Sequence, residues 1–228
     1  MIKATLMDYM GSDITVVNAA RVSFGKKSNN TYTTDKDDNL IRYLAEHKHM
    51  SPFGHCFASF HVKAPIFVAR QLVKHKFLRW NEISRRYVDK DTEYYLPKTW
   101  RGRAKDKKQG SEGVVDLSSI LDTEHNTAIL GSGTLQGHVI EISEWLRETY
   151  KLLLDKGVCP EQARMVLPQS TMTEWYWSGS LDAFADMCNL RCASDTQAET
   201  RFVATQISDR MRKLFPVSWS ALVEKNYE

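Results

Sequence analysis

A chain of 228 residues is long enough to bury a sizeable core. Its composition, 42% hydrophobic and 26% charged, is that of a globular protein and excludes a disordered or fibrous chain. A formal net charge of +3 excludes a protein that holds nucleic acid through its overall field, and no run of about 18 apolar residues is present to span a membrane.

The opening IKATLMDYMGSDITVVNAARVSF predicts one strand and a short helix starting near Val17, and residues 25 to 38 read as a polar loop. NLIRYLAEHKH then places Leu40, Ile41 and Leu44 on one helical face. CFASFHVKA alternates with a period of two, with Cys56, Ala58, Phe60 and Val62 on one side, and predicts a strand. Pro65 suits the first position of a helix that carries Ile66, Ala69, Val73 and Phe77 on its apolar face. Residues 101 to 137 are poor in large apolar groups and read as a surface insertion. An amphipathic helix is expected from Val139 to Leu154, a short helix between Pro160 and Pro168, and a strand at TMTEWYW. Ser180 is expected to cap a helix reaching about Arg191. Ser194 and Gln197 have capping-box spacing for a last helix that stops before Pro216. No repeat and no regular βαβ rhythm is present, so the expectation is an α+β fold in a single domain, residues 1–228.

The opening residues lack a secretory apolar segment, and Cys56, Cys159, Cys188 and Cys192 form no CxxC pair. Reduced thiols in the cytoplasm are expected, or in a host's cytoplasm for a virus-encoded chain. Cys188 and Cys192, one helical turn apart, are read as packing groups. His47, His49, His55 and His61 lie close in sequence, but no carboxylate or cysteine completes a zinc spacing, and no metal is expected.

QLVKHKFLRWNEISRRY, residues 71 to 87, gathers five cationic side chains and a histidine in a nearly charge-balanced chain. Taken as helical, it sets Gln71 and His75 on one face and Arg70 and Lys74 on another. Cations at a helix C-terminus are commonly just solvated. Here Asn81, Glu82 and Ser84 add donors and acceptors among Arg79, Arg85 and Arg86. That mixture suits a phosphorylated ligand bearing a heterocycle. Nothing like GxSxG surrounds Ser84, so it reads as a phosphate donor and not as a nucleophile.

KHK, seven residues, then Ser84 is similar to the RHR-seven-Ser signature of the flavin-dependent thymidylate synthases. Lys74 and Lys76 keep the charge of that signature but not its fork geometry. HMSPFGHCFASFHVKAPIFVARQ, ARMVLP and NLR resemble further blocks of the family at suitable distances, and the likeness spans most of the chain outside residues 101 to 137. The resemblance implies that family's own α/β fold, a mixed sheet with helices, assembled as a homotetramer with FAD sites formed between subunits. It implies reductive methylation of dUMP to dTMP, with 5,10-methylenetetrahydrofolate as carbon donor and NADPH-reduced FAD as hydride source. By the same resemblance Gln71, Lys74, Glu82, Ser84, Arg85, Arg86, Arg164 and Arg191 would hold dUMP. His49, Ser51, Lys74, His75, Lys76, Glu82, Ser180 and Asp186 would lie against FAD. Arg191 would face the uracil edge as the catalytic cation: a guanidinium stays protonated and can stabilise negative charge on the ring.

The sequence departs from the family pattern at Gly54, where glutamate is common, and at Ser180, Asp182 and Asp186, where asparagine, arginine and asparagine are common. Arg85 replaces a common small residue. An altered set of FAD contacts is expected. Two other readings stand beside this one. The first is a nucleotide-binding homologue that has lost catalysis. The second is a single-strand nucleic-acid module in which Trp80 and Tyr87 stack bases among Lys74, Lys76, Arg79, Arg85 and Arg86.

Overall fold

The computed structural model describes residues 1–88, 92–105, 110–118 and 133–223, and the chain divides into two compact units. The first comprises residues 1–64, 68–82 and 174 onward; the second comprises 65–67 and 83–173.

The first unit is built on a sheet of β1 (Lys3–Met10), β2 (Phe57–Pro65), β6 (Met172–Ser180) and β3 (Leu78–Glu82), in the order β1-β2-β6-β3. The β1–β2 and β3–β6 ladders run antiparallel, which is simpler than the mixed sheet expected. The period-two pattern behaves as predicted: Cys56, Ala58, Phe60, Val62 and Ala64 are buried, and the residues between them are not. β6 buries Trp175 and Trp177 on its inner face, where Trp175 stacks on Trp80 at 4.3 Å and Trp177 meets Phe184 edge-on at 5.7 Å.

The helices of this unit are α1 (Asp13–Arg21), α2 (Asp35–Glu46), most of α3 (Ile66–Leu72), α6 (Leu181–Arg191), α7 (Ala198–Leu214) and α8 (Pro216–Leu222). α1 begins four residues before Val17, because Ser12 and Thr15 close a capping box in which Thr15 Oγ1 accepts from Ser12 N at 3.0 Å. α2 begins inside the expected loop, at Asp35, because Asp37 accepts from the Thr34 N–H and hydroxyl at 2.9 and 2.8 Å. Burial alone would raise the Asp37 pKa. The Thr34 bonds and Arg21, 2.6 Å away, outweigh it and hold the carboxyl below its ordinary value. Asp13, buried at the start of α1, accepts from Val217 N and Ser218 N at 3.0 Å each and so caps α8.

The expected last helix stops at Leu214, as predicted, but α8 follows directly on Pro216. Its predicted capping box is absent. α7 starts at Ala198 with Gln197 at the cap, and the Ser194 carbonyl accepts from Arg201 Nη1 at 2.9 Å. Ser180 does stand at the N-cap of α6, but its side chain makes no capping bond.

Gly11 turns the chain between β1 and α1 at φ +92°, and a Cβ there would stand 2.7 Å from Cys56 Sγ. Gly11→Ala is expected to cost about 1–3 kcal/mol, read as a lower urea midpoint at unchanged slope.

The second unit holds β4 (Trp100–Arg103) paired antiparallel with β5 (Ser111–Val115), α4 (Leu135–Asp155) and α5 (Pro160–Ala163), which runs into a 3-10 turn at Arg164–Val166. α4 starts four residues earlier than expected because Thr134 Oγ1 caps Gly137 N at 3.0 Å. Tyr95 N bonds to Ser170 O, and Met172 N to Glu93 O, both at 2.8 Å. Of the expected insertion 101–137, the β4–β5 hairpin and the opening of α4 are described, and residues 106–109 and 119–132 lie outside the described residues.

Candidate active site

The largest departure from the sequence reading falls on the cationic stretch itself. The helix expected through Phe77 ends at Leu72. Val73 and Phe77, assigned to its apolar face, are 48% and 83% exposed. His75 N closes a turn on Leu72 O at 3.1 Å, Phe77 takes φ +64°, and the chain reverses into β3. The shared helical faces read for Gln71 with His75 and for Arg70 with Lys74 therefore do not form. The ladder that β3 makes with β6 outweighs local helical preference, and Gly179 opposite Leu78 leaves room for the reversal.

This turn brings His75 to Arg191, the last residue of α6. Arg191 Nε donates to His75 Nε2 at 2.9 Å. The imidazole must then carry its own proton on Nδ1. Its ring stands edge-on to Trp177 at 6.5 Å. Burial, then the Arg191 charge, pull the His75 pKa down from 6.5 to about 4, and burial also lowers that of Arg191. Among the described residues, Arg191 Nη1 and Nη2 make no hydrogen bond. The forked edge of a half-buried guanidinium is thus left for a ligand.

His75 stays neutral in the folded protein until pH falls to about 4, while the unfolded chain takes up the proton near 6.5. Stability is therefore expected to fall as pH drops through that window and to level below it. The loss is roughly 1–2 kcal/mol after allowance for solvent screening of a half-buried ring. Urea unfolding of wild type and His75→Gln between pH 7 and 4 isolates this contribution. Equal pH slopes would contradict it.

Gln71 is held from α7, through residues that sequence reading missed. Thr200 Oγ1 donates to Gln71 Oε1 at 3.1 Å, Gln71 Nε2 donates to Gln197 Oε1, and Gln197 Nε2 donates to Glu199 at 3.2 Å. Thr200 and Glu199 are buried. A spacing of over a hundred residues carries no local signal for this frame; buried polar groups at the head of an otherwise apolar helix face are the only hint in the sequence.

His49 and Ser51 are exposed at the end of α2, where Lys48 takes φ +57° and His49 N bonds to Leu44 O at 2.9 Å. α6 packs on the following 3-10 turn, Ser51–His55. That contact brings Lys48 within electrostatic reach of Asp186, whose pKa is raised by burial and by Asp182 and opposed by Lys48. A side chain at Gly54 would meet nothing within 4 Å, so the departure there is not forced by space. His47 stacks on Tyr43 at 4.0 Å and meets His49 edge-on at 6.4 Å, whereas His61 pairs with Glu174 at 3.1 Å.

In the second unit, Ser84 Oγ accepts from Arg86 N and Nε at 3.3 and 3.2 Å. Arg86 Nη1 lies 3.9 Å from Glu161, whose main-chain oxygen accepts from Arg164 Nε at 3.3 Å. Ser84, Arg86 and Arg164 thus cluster around the start of α5. Arg85 turns to the Met172 carbonyl at 3.5 Å, and Glu82, at the end of β3, accepts from Trp80 Nε1 at 3.0 Å. Trp80 has one face covered by Trp175, which weakens the base-stacking reading.

The structure resembles the crystal structure of a UMP/dUMP methylase, PolB from Streptomyces cacaoi, bound with 5-Br dUMP. The TM-score is 0.79 at 31% identity, covering 97% of this chain and 94% of that one. A family model described as thymidylate synthase complementing protein matches residues 5–217. A flavin-dependent thymidylate synthase of Thermus thermophilus is 41% identical over 219 residues, 96% of this chain and 74% of that protein. That of Thermosipho melanesiensis is 38% identical over 222 residues, 97% of this chain and 90% of that one. The chain belongs to the flavin-dependent thymidylate synthase family.

The flavin of that family, FAD, suits the donor set of the first unit. Lys74 and Lys76 are exposed and form no ion pair among the described residues, which leaves two cations for an anionic dinucleotide. Asp182 and Asp186 fit hydroxyl groups and not phosphate. In this family NADPH and methylenetetrahydrofolate are co-substrates.

Proposed function

We propose that this chain converts dUMP to dTMP, taking its carbon from 5,10-methylenetetrahydrofolate and its reducing power from NADPH through FAD. The observation that carries the reading is the open fork of Arg191, held half-buried by a neutral imidazole. Carbon 5 of uracil attacks poorly unless the ring gains electron density. A cation that cannot give up its proton, set at the ring oxygens and N3, favours that form. Bound FAD supplies the redox chemistry. The chain supplies charge, orientation and a site where flat rings are held in register.

Gln71, Lys74, Glu82 and Arg191 take the base and sugar side of the nucleotide, and Ser84, Arg85, Arg86 and Arg164 take its phosphate. Arg86 and Ser84, already bonded to one another, present two donors to one anion. His49, Ser51, Lys74, His75, Lys76, Glu82, Ser180 and Asp186 line the flavin. The chain acts as one functional domain, assembled as a homotetramer, in the cytoplasm. Free thiols at Cys56, Cys159, Cys188 and Cys192 support that compartment. Among the described residues no helix is long and apolar enough to cross a membrane.

Expression in a thymidine-requiring bacterial strain tests the reading. Growth without thymidine is expected. A yellow protein that binds dUMP but does not restore growth would favour the reading of a homologue that has lost catalysis.

A further inference from the structure

We infer that His75 is a positioning residue for Arg191: its Nε2 fixes the Arg191 guanidinium through Nε, so that the opposite edge of the fork is presented to the substrate ring. The inference rests on the proposed role of Arg191 and adds a second residue to it.

A guanidinium on a three-carbon stem has many rotamers, and orienting it on binding costs freedom that a pre-set contact removes beforehand. Here the contact is made by Nε, the one nitrogen that is not part of the terminal fork, at 2.9 Å. Using Nε leaves both terminal nitrogens for ligand. The acceptor is itself held on two sides. Its backbone N–H closes the turn on Leu72 O at 3.1 Å, and its ring lies edge-on to Trp177, which is 1% exposed. Trp177 is wedged between Trp80 and Phe184, each with its ring centroid 5.7 Å away. A chain of rigid contacts thus runs from the core of the sheet to the guanidinium. Only an acceptor can occupy this place: a second cation at position 75 would repel Arg191. Lys74 and Lys76, on either side in the chain, are exposed cations with no acceptor to offer Nε, so neither substitutes for the imidazole.

The test uses the flavin-loaded full chain and four variants: His75→Ala, His75→Gln, Arg191→Ala and the double variant His75→Ala/Arg191→Ala. Glutamine keeps an acceptor near the position of Nε2. His75→Ala is expected to lower kcat/KM for dUMP by about a hundred-fold per flavin-loaded site, through weaker dUMP binding as well as a lower kcat, with melting temperature near wild type. His75→Gln should recover at least about a tenth of the wild-type value, and His75→Ala should cost little further in the Arg191→Ala background. A His75→Ala loss that vanishes when activity is counted per flavin-loaded site, or that adds in full to the Arg191→Ala loss, overturns the inference and leaves His75 only its place at the cofactor or in the fold. If wild type itself forms no dTMP, the proposed function fails first. Calorimetric binding of dUMP then still reads the inference: equal dUMP affinity in wild type and His75→Ala would overturn it.

Discussion

Arg191→Ala lowers kcat/KM for dUMP by about 10²–10³-fold and leaves the flavin absorbance of the purified protein unchanged, because the guanidinium acts on the substrate ring and not on the cofactor. The size follows from the environment. The group is half-buried and its charge is less screened than that of a surface arginine. Among the described residues its only bond is to a neutral imidazole, so its positive charge is not cancelled by a carboxylate. Arg191→Lys keeps the charge and loses the fork, and is expected to recover only part of the activity. Steady-state kinetics with dUMP as the varied substrate, beside a flavin spectrum of the same sample, check the prediction. Wild-type turnover in Arg191→Ala would remove the residue from the mechanism.

Trp177→Ala is expected to have the largest effect on stability, about 3–5 kcal/mol. Its indole is 1% exposed and touches Trp80, Trp175, Phe184 and His75 through ring contacts. Alanine leaves a cavity that a sheet pinned by the β3–β6 ladder cannot collapse to fill. Trp177→Phe should lose about half as much or less, since it keeps an aromatic edge against Phe184. Urea midpoints of the three proteins check this. Equal midpoints for Trp177→Ala and wild type would mean that the tryptophan cluster does not set the stability of the first unit. Activity is expected to fall with the cavity as well, because the floor beneath His75 is removed.

The parts of the fold visible in the sequence are those written in periodic burial. The alternation from Cys56 to Val62 and the TMTEWYW pattern mark β2 and the start of β6, which runs three residues further to Ser180, since side-chain period alone decides which face is buried. The turn at residues 73–77 was hidden. Val73 and Phe77 continue a helical apolar pattern, but the backbone leaves the helix at Leu72 because β3 must pair with β6, a partner about a hundred residues away. The predicted cap at Ser194 and Gln197 failed for a related reason: Gln197 spends its side chain on Gln71 and Glu199. The site was legible as composition and resemblance. The sequence marked His75 and Arg191 as separate binders; it did not show that one holds the other, because that contact depends on the reversal at Phe77. Asp182 and Asp186 were marked as departures, and the structure sets them as interacting like charges on α6, with Lys48 opposing.

The most direct measurement is product formation by the purified wild-type protein with dUMP, methylenetetrahydrofolate and NADPH, followed by mass spectrometry of the nucleotide. The account predicts dTMP, formed only when all three are present and FAD is bound. A yellow protein that binds dUMP tightly yet returns it unmethylated under those conditions would contradict it.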